Sequence, residues 1–231
     1  MSAADPIVAL FAPYDRDGAL EEAHDKATRS SRAALLRATA GGALGLAALA
    51  AMPRSARAAT ANDVAILNYA LQLEYLQAAF YTEAERRGAI RGAAKEALVV
   101  IGPVERAHVR AYKKVLGSAA GKPAFYDFRG TTEDPDAFLR TAVAFEDLAA
   151  AAYKGQAPLI DSANVLAAAV AIHSVEARHA AWIRFLAGAT PATAAFDKPL
   201  SKPQVLALVR RTRFVSAAPR TATARRPPFT G

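Results

Sequence analysis

From Val64 onward, apolar positions recur with the period of a helix. Val64, Leu67, Leu71, Glu74, Ala78 and Tyr81 fall at offsets 0, 3, 7, 10, 14 and 17, one face of an amphipathic helix. Asn62-Asp63 offers it an N-cap and Gly88 a stop. A second helix is predicted from about Arg91 to Leu116, closed by Gly117, with the stripe Ala94, Leu98, Ile101, Glu105, His108, Tyr112. A third begins at Asp134-Pro135, a cap followed by proline at the first helical position, and carries Leu139, Val143, Glu146, Ala150, Tyr153. A fourth runs from about Asp161-Ser162 to Gly188 with Val165, Ala169, Ile172, Glu176, His179, Ile183, Leu186. A short fifth helix over Lys202–Arg211 closes the domain.

The connections predict the topology. Short links make helices 1 and 2, and helices 3 and 4, antiparallel neighbours. Between helices 2 and 3 lies SAAGKPAFYDFRGTTE, able to reach about 50 Å when extended. That suits a crossover along the outside of the bundle, with Phe125, Tyr126 and Phe128 packed onto it. The fold class is therefore all-α: a four-helix bundle with a long crossover between helices 2 and 3. At ~1.5 Å per residue, Glu74 and Glu105 stand at one height about the first turn. The second hairpin matches only if helix 3 continues, kinked, past Gly155 and Pro158 to about Ile160. Pro103, just before Glu105, is expected to bend or open helix 2.

The stripes contain polar residues that burial alone would reject, and they come in pairs. Residues 101–108 read IGPVERAH and residues 172–179 read IHSVEARH, a shared I-x-x-V-E-x-x-H. Residues 74–81 (EYLQAAFY) and 146–153 (EDLAAAAY) share E-x-L-x-A-A-x-Y. The offsets, 72 and 71 residues, describe a duplicated hairpin, each copy supplying one glutamate and one Glu-x-x-His. A buried, unpaired carboxylate costs several kcal/mol or takes up a proton, and the interior stripes hold no Lys or Arg to answer four of them. Two divalent cations would, with two neutral imidazoles completing the coordination. The i, i+3 spacing aims Glu and His to one side. Mixed nitrogen and oxygen donors favour Fe or Mn over Ca or Mg.

Charge and composition change this picture only at the ends. Arg210, Arg211, Arg213, Arg220, Arg225 and Arg226 carry most of the +8 net charge. Residues 213–231 are expected to be a disordered basic tail, solvated or touching an anionic surface. The rest is near neutral, so no nucleic-acid partner is expected. With no cysteine in the chain, disulfides and thiolate metal sites are excluded. Residues 1–58 look like a leader: arginines, a weakly apolar run from Ala38 to Met52, then Ala56-Arg57-Ala58. The run is too short and too weak to span a bilayer as a stable helix. Arg29, Arg32 and Arg37 before it resemble a twin-arginine signal. That implies the twin-arginine export machinery as a partner, cleavage after Ala58, and a periplasmic or extracellular protein; the alternative is an uncleaved anchoring helix.

With these motifs on four helices, residues 59–212 resemble the ferritin-like superfamily, whose metal-carboxylate pattern is a known one. NYALQLEYLQAAFY, VERAHV, AFEDLAAAAY and VEARHAAWIRFL are most similar to its secreted, desiccation-related members. The resemblance implies Glu74, Glu105, His108, Glu146, Glu176 and His179 as ligands to two Fe or Mn ions. Glu105 and Glu176 would bridge and Glu74 and Glu146 would be terminal. His173 falls off the ligand stripe. Tyr81, Tyr112 and Tyr153 are core residues by default; the alternatives are a hydrogen bond to a ligand carboxylate or redox service. Trp182 reads as packing, and no acid is evident that would orient the histidines. The function implied is oxidant handling in stress protection, with O2 or peroxide as reactant: ferroxidase, peroxide-consuming or oxygenase chemistry. The alternatives are a non-catalytic desiccation protein with a structural or sequestered metal, and an interaction module working through the basic tail. The sequence does not specify an oligomeric state.

Overall fold

The computed structural model describes residues 59–192 and 194–216. The expected leader and the tail beyond Ser216 lie outside the described residues. Five α-helices are present among those described: α1 (Ala61–Arg87), α2 (Gly92–Leu116), α3 (Pro135–Gln156), α4 (Ala163–Leu186) and α5 (Lys202–Thr212). α1 packs along α2 and α3 along α4, and the two hairpins meet face to face, with α5 on α3. None of these helices is long and apolar enough to cross a membrane.

The helix ends follow local chemistry, with small corrections to the expected bounds. Thr60, not Asn62-Asp63, caps α1, and Asp63 is the acid three residues on in a reciprocal capping box. Asp63 Oδ1 also accepts from Asp161 N at 2.9 Å, and Asn62 donates to Leu159 O at 2.7 Å. Those side chains thus tie the start of α1 to the α3–α4 turn. α3 starts as predicted, Asp134 accepting from Ala137 N at 2.7 Å. Its far end was expected to continue, kinked, past Gly155 and Pro158 to about Ile160. α3 does pass Gly155 to Gln156, and the chain runs on directly as a single 3-10 turn, Ala157–Leu159, so the path is as expected and only its last turn is tighter than α. Proline is tolerated in the first turn of such an element. α4 ends at Leu186, two residues before the expected Gly188.

Pro103 does not open α2, which is continuous through it. The carbonyl that loses its partner belongs to Val99, itself half exposed, so water can satisfy it. Beside it Gly102 is needed for close packing: a Cβ there would lie 2.8 Å from Glu85 Oε1 and 3.2 Å from Tyr81 Cβ.

The crossover runs along α1. Asn68 holds its start, accepting from Gly121 N at 2.7 Å and donating to Ala119 O at 3.0 Å. Thr132 holds its end, donating to Glu83 Oε1 at 2.9 Å. Midway, β1 (Phe125–Tyr126) pairs antiparallel with β2 (Val215–Ser216), Phe125 opposite Ser216. This corrects the expected tail boundary: residues 213–216 are ordered, and Phe214 is buried against Phe128 and Phe145.

Two apolar clusters fill the bundle. One joins Leu76, Phe80, Phe128, Phe138, Phe145, Ile183 and Val205, Phe80 stacking on Phe138 at 5.1 Å. The other joins Leu67, Leu71, Val109, Tyr112, Leu116, Tyr153 and Ile172. Members of the two clusters lie on either side, in sequence, of the six predicted ligands.

Candidate metal centre

All six predicted residues meet in the interior, between the two hairpins. Glu74 comes from α1, Glu105 and His108 from α2, Glu146 from α3, Glu176 and His179 from α4. The four glutamates are 0% exposed. Each occupies a position where the helix period demands an apolar residue, which is why the fold carries all four inward together.

The histidines cross between hairpins. His108 Nδ1 lies 3.1 Å from Glu176 Oε1, 3.3 Å from Glu74 Oε2 and 3.8 Å from Glu105 Oε2. His179 Nδ1 lies 3.0 Å from Glu105 Oε1 and 3.4 Å from Glu146 Oε2. His108 is thus nearer the glutamate of the opposite Glu-x-x-His, Glu176, than that of its own, Glu105. Donor atoms gather into two groups, each within 4.8 Å: Glu74, Glu105, His108 and Glu176, and Glu105, Glu146, Glu176 and His179. Glu105 and Glu176 belong to both.

Around these donors stand phenols. Tyr81 donates to Glu146 Oε1 at 2.6 Å, and Tyr153 donates to Glu74 Oε1. The tyrosine of each E-x-L-x-A-A-x-Y copy therefore serves the glutamate of the other copy. Tyr112 OH lies 2.7 Å from Tyr153 OH. Gln77 Nε2 approaches Glu176 Oε2 at 3.5 Å; the sequence reading missed it, although a glutamine one turn from Glu74 on a buried face was its signal. His173 is half-buried and outside the cluster, and Trp182 packs on the apolar core. Neither His108 nor His179 has an orienting acid on Nε2 among the described residues.

The fit to cations rests on what these residues lack. Glu74 Oε2, both oxygens of Glu105, Glu146 Oε2, Glu176 Oε1 and Nδ1 of both histidines are buried without a hydrogen-bond partner. Native interiors leave only a few such groups bare, and each calls for an explanation. These seven atoms face one another. No Lys or Arg is buried among the described residues.

Electrostatics show the strain of an all-protein solution. Burial pushes Glu74 up to about 6 against the pull of His108, and drives Glu176 well above the carboxylate range. For Glu105 burial is outweighed by the imidazole contacts of His108 and His179, and it falls to about 2. Both histidines rise: burial opposes their charge, but the surrounding carboxylates overcome it. Without cations the cluster must hold protons in their place; with cations bound, the imidazoles can be neutral donors.

A family model, Ferritin-like domain, matches residues 62–189. The chain belongs to the ferritin-like domain family. Comparison with curated proteins returned no match. The matched segment contains all six clustered residues and, but for Ala61, the four helices of the two hairpins.

Proposed function

We propose that this ferritin-like protein holds two Fe or Mn ions and handles oxidants with them, in stress protection outside the cytoplasm. The observation that carries the reading is the set of seven bare, mutually facing donor atoms. Glu74 and His108 would hold one ion, Glu146 and His179 the other, and Glu105 and Glu176 would span both. Such a metal pair supplies redox capacity toward dioxygen or peroxide. The chain does the rest. Tyr81 and Tyr153 pin the outer oxygens of Glu146 and Glu74, so that their inner oxygens face the centre. The apolar clusters on both sides keep bulk water out and make the carboxylates bind cations more strongly. Export rests on the arginine-led leader and the likeness to secreted, desiccation-related proteins.

Elemental analysis of protein recovered from its native compartment, followed by assays of Fe(II) oxidation and peroxide loss, tests this reading. Two Fe or Mn per chain and turnover in either assay are expected. Two ions with neither activity would make the metal a structural or sequestered one. Recovery of the uncleaved protein from the cytoplasm would end the export proposal.

A further inference from the structure

The internal repeat relates the two halves of the centre residue by residue, so departures from it carry information. Glu74, Gln77 and Tyr81 of α1 correspond to Glu146, Ala149 and Tyr153 of α3. Glu105, His108 and Tyr112 of α2 correspond to Glu176, His179 and Ile183 of α4. The donors and the crossed tyrosines repeat; Gln77 and Tyr112 do not. Gln77 approaches Glu176, which both donor groups share, and so does not distinguish them. Tyr112 acts on one side alone.

Its direction of action follows from counting protons. Tyr153 has a single hydroxyl proton, and it points to Glu74 Oε1. Toward Tyr112, at 2.7 Å, Tyr153 can only accept. The bonds therefore run in series from Tyr112 to Tyr153 to Glu74. Glu146 receives one bond from Tyr81, and the position that would back it with a second phenol is the fully buried Ile183. Hydrogen bonds in series reinforce one another. A carboxylate whose outer oxygen receives the stronger bond offers less charge to a cation at its inner oxygen.

We infer that Tyr112 makes the two cation positions unequal: the Glu146–His179 position fills first, and the Glu74–His108 position binds more weakly. The inference rests on the dinuclear reading above. Tyr112 touches no donor atom bound for the cation; it tunes Glu74 through Tyr153.

Titration of the metal-free full chain with Mn(II), followed by calorimetry and by the magnetic resonance signal of free Mn(II), tests it. Two ions should enter in two steps, with affinities on the order of ten-fold apart, the scale of outer-contact effects at metal sites. His179→Ala, which retains the Tyr112 side, should bind its remaining ion more weakly than His108→Ala. Tyr112→Phe should strengthen the weaker step several-fold and close the gap. Were Tyr112 only a brace, the same substitution would weaken that step and widen the gap, which overturns the inference. Equal steps in the unaltered chain, or the reverse order in the two histidine variants, overturn it as well. Uptake of fewer than two ions removes the dinuclear reading and this inference with it. If Tyr112→Phe fails to fold, Tyr81→Phe serves instead: it should strengthen the first step and widen the gap, and a weakened first step overturns the proposal.

Discussion

The two hairpins present nearly the same inner face and different outer faces. Inside, both carry a lone glutamate, a Glu-x-x-His and a tyrosine that reaches across to the other copy. Outside, the residue after the lone glutamate is Tyr75 in one copy and Asp147 in the other. Tyr75 is buried beneath the crossover and donates to Gly121 O at 3.2 Å. Asp147 has no such cover and forms a bidentate pair with Arg184 at 2.7 and 2.8 Å. The centre constrains what both copies show each other, while whatever lies over each copy decides the rest.

The largest effect should come from the shared inner face. Glu105→Leu removes a donor common to both groups, so metal per chain, measured by elemental analysis, should fall from two to below one. In chelator Glu176→Leu, which removes the shared carboxyl that burial drives well above its ordinary range, should be more stable than the parent by about 1–4 kcal/mol in chemical denaturation, because an apolar group replaces a charge the interior disfavours. Loss of stability in chelator would mean that the protein solves the charge problem without cations.

The next effect sharpens the contrast between hairpins through their close-packed glycines. A Cβ at Gly155 would lie 2.0 Å from Leu200 O, a backbone atom held by the bond from Leu200 N to Ala151 O at 3.0 Å. Gly155→Ala should cost about 3 kcal/mol or detach the segment before α5, read by thermal unfolding. At Gly102 the nearest atom ends a flexible glutamate side chain, and Gly102→Ala should cost about 1 kcal/mol. Equal costs would show that the backbone contact at Leu200 yields.

A smaller effect concerns the tie between the hairpins at Asp63. Burial pushes its carboxyl up, but bonds from the backbone of Thr60, Asp161 and Ser162 outweigh this and hold it below the usual range. A depressed folded pKa stabilises above the unfolded value of roughly 3.9 and is lost as pH falls through the folded value. Asp63→Ala should therefore cost about 1 kcal/mol near neutrality. The difference from the parent should shrink only below about pH 4, as denaturation curves across pH would show. Least of all, Asp147→Ala should cost about 0.5 kcal/mol, since the pair with Arg184 is partly exposed.

Much of the bundle and of its centre was legible in local spacing. The stripes placed Glu74, Glu105, His108, Glu146, Glu176 and His179 inward, and Asp134-Pro135 and Gly88 marked true helix ends. Asn62-Asp63 misled because a cap is chosen by which side chain reaches the free N–H groups, and Thr60 reached them first. Phe214 was hidden in a basic stretch, where one aromatic has no period to announce it.

The sequence alone determined which face of each helix turns inward and that four carboxylates must be answered there, because the helical period is a property of consecutive residues. Only the tertiary structure decided that Tyr81 serves Glu146, that Tyr153 serves Glu74, and that Tyr112 stands behind one of them. Those pairings depend on distances between helices that no spacing along one chain segment encodes.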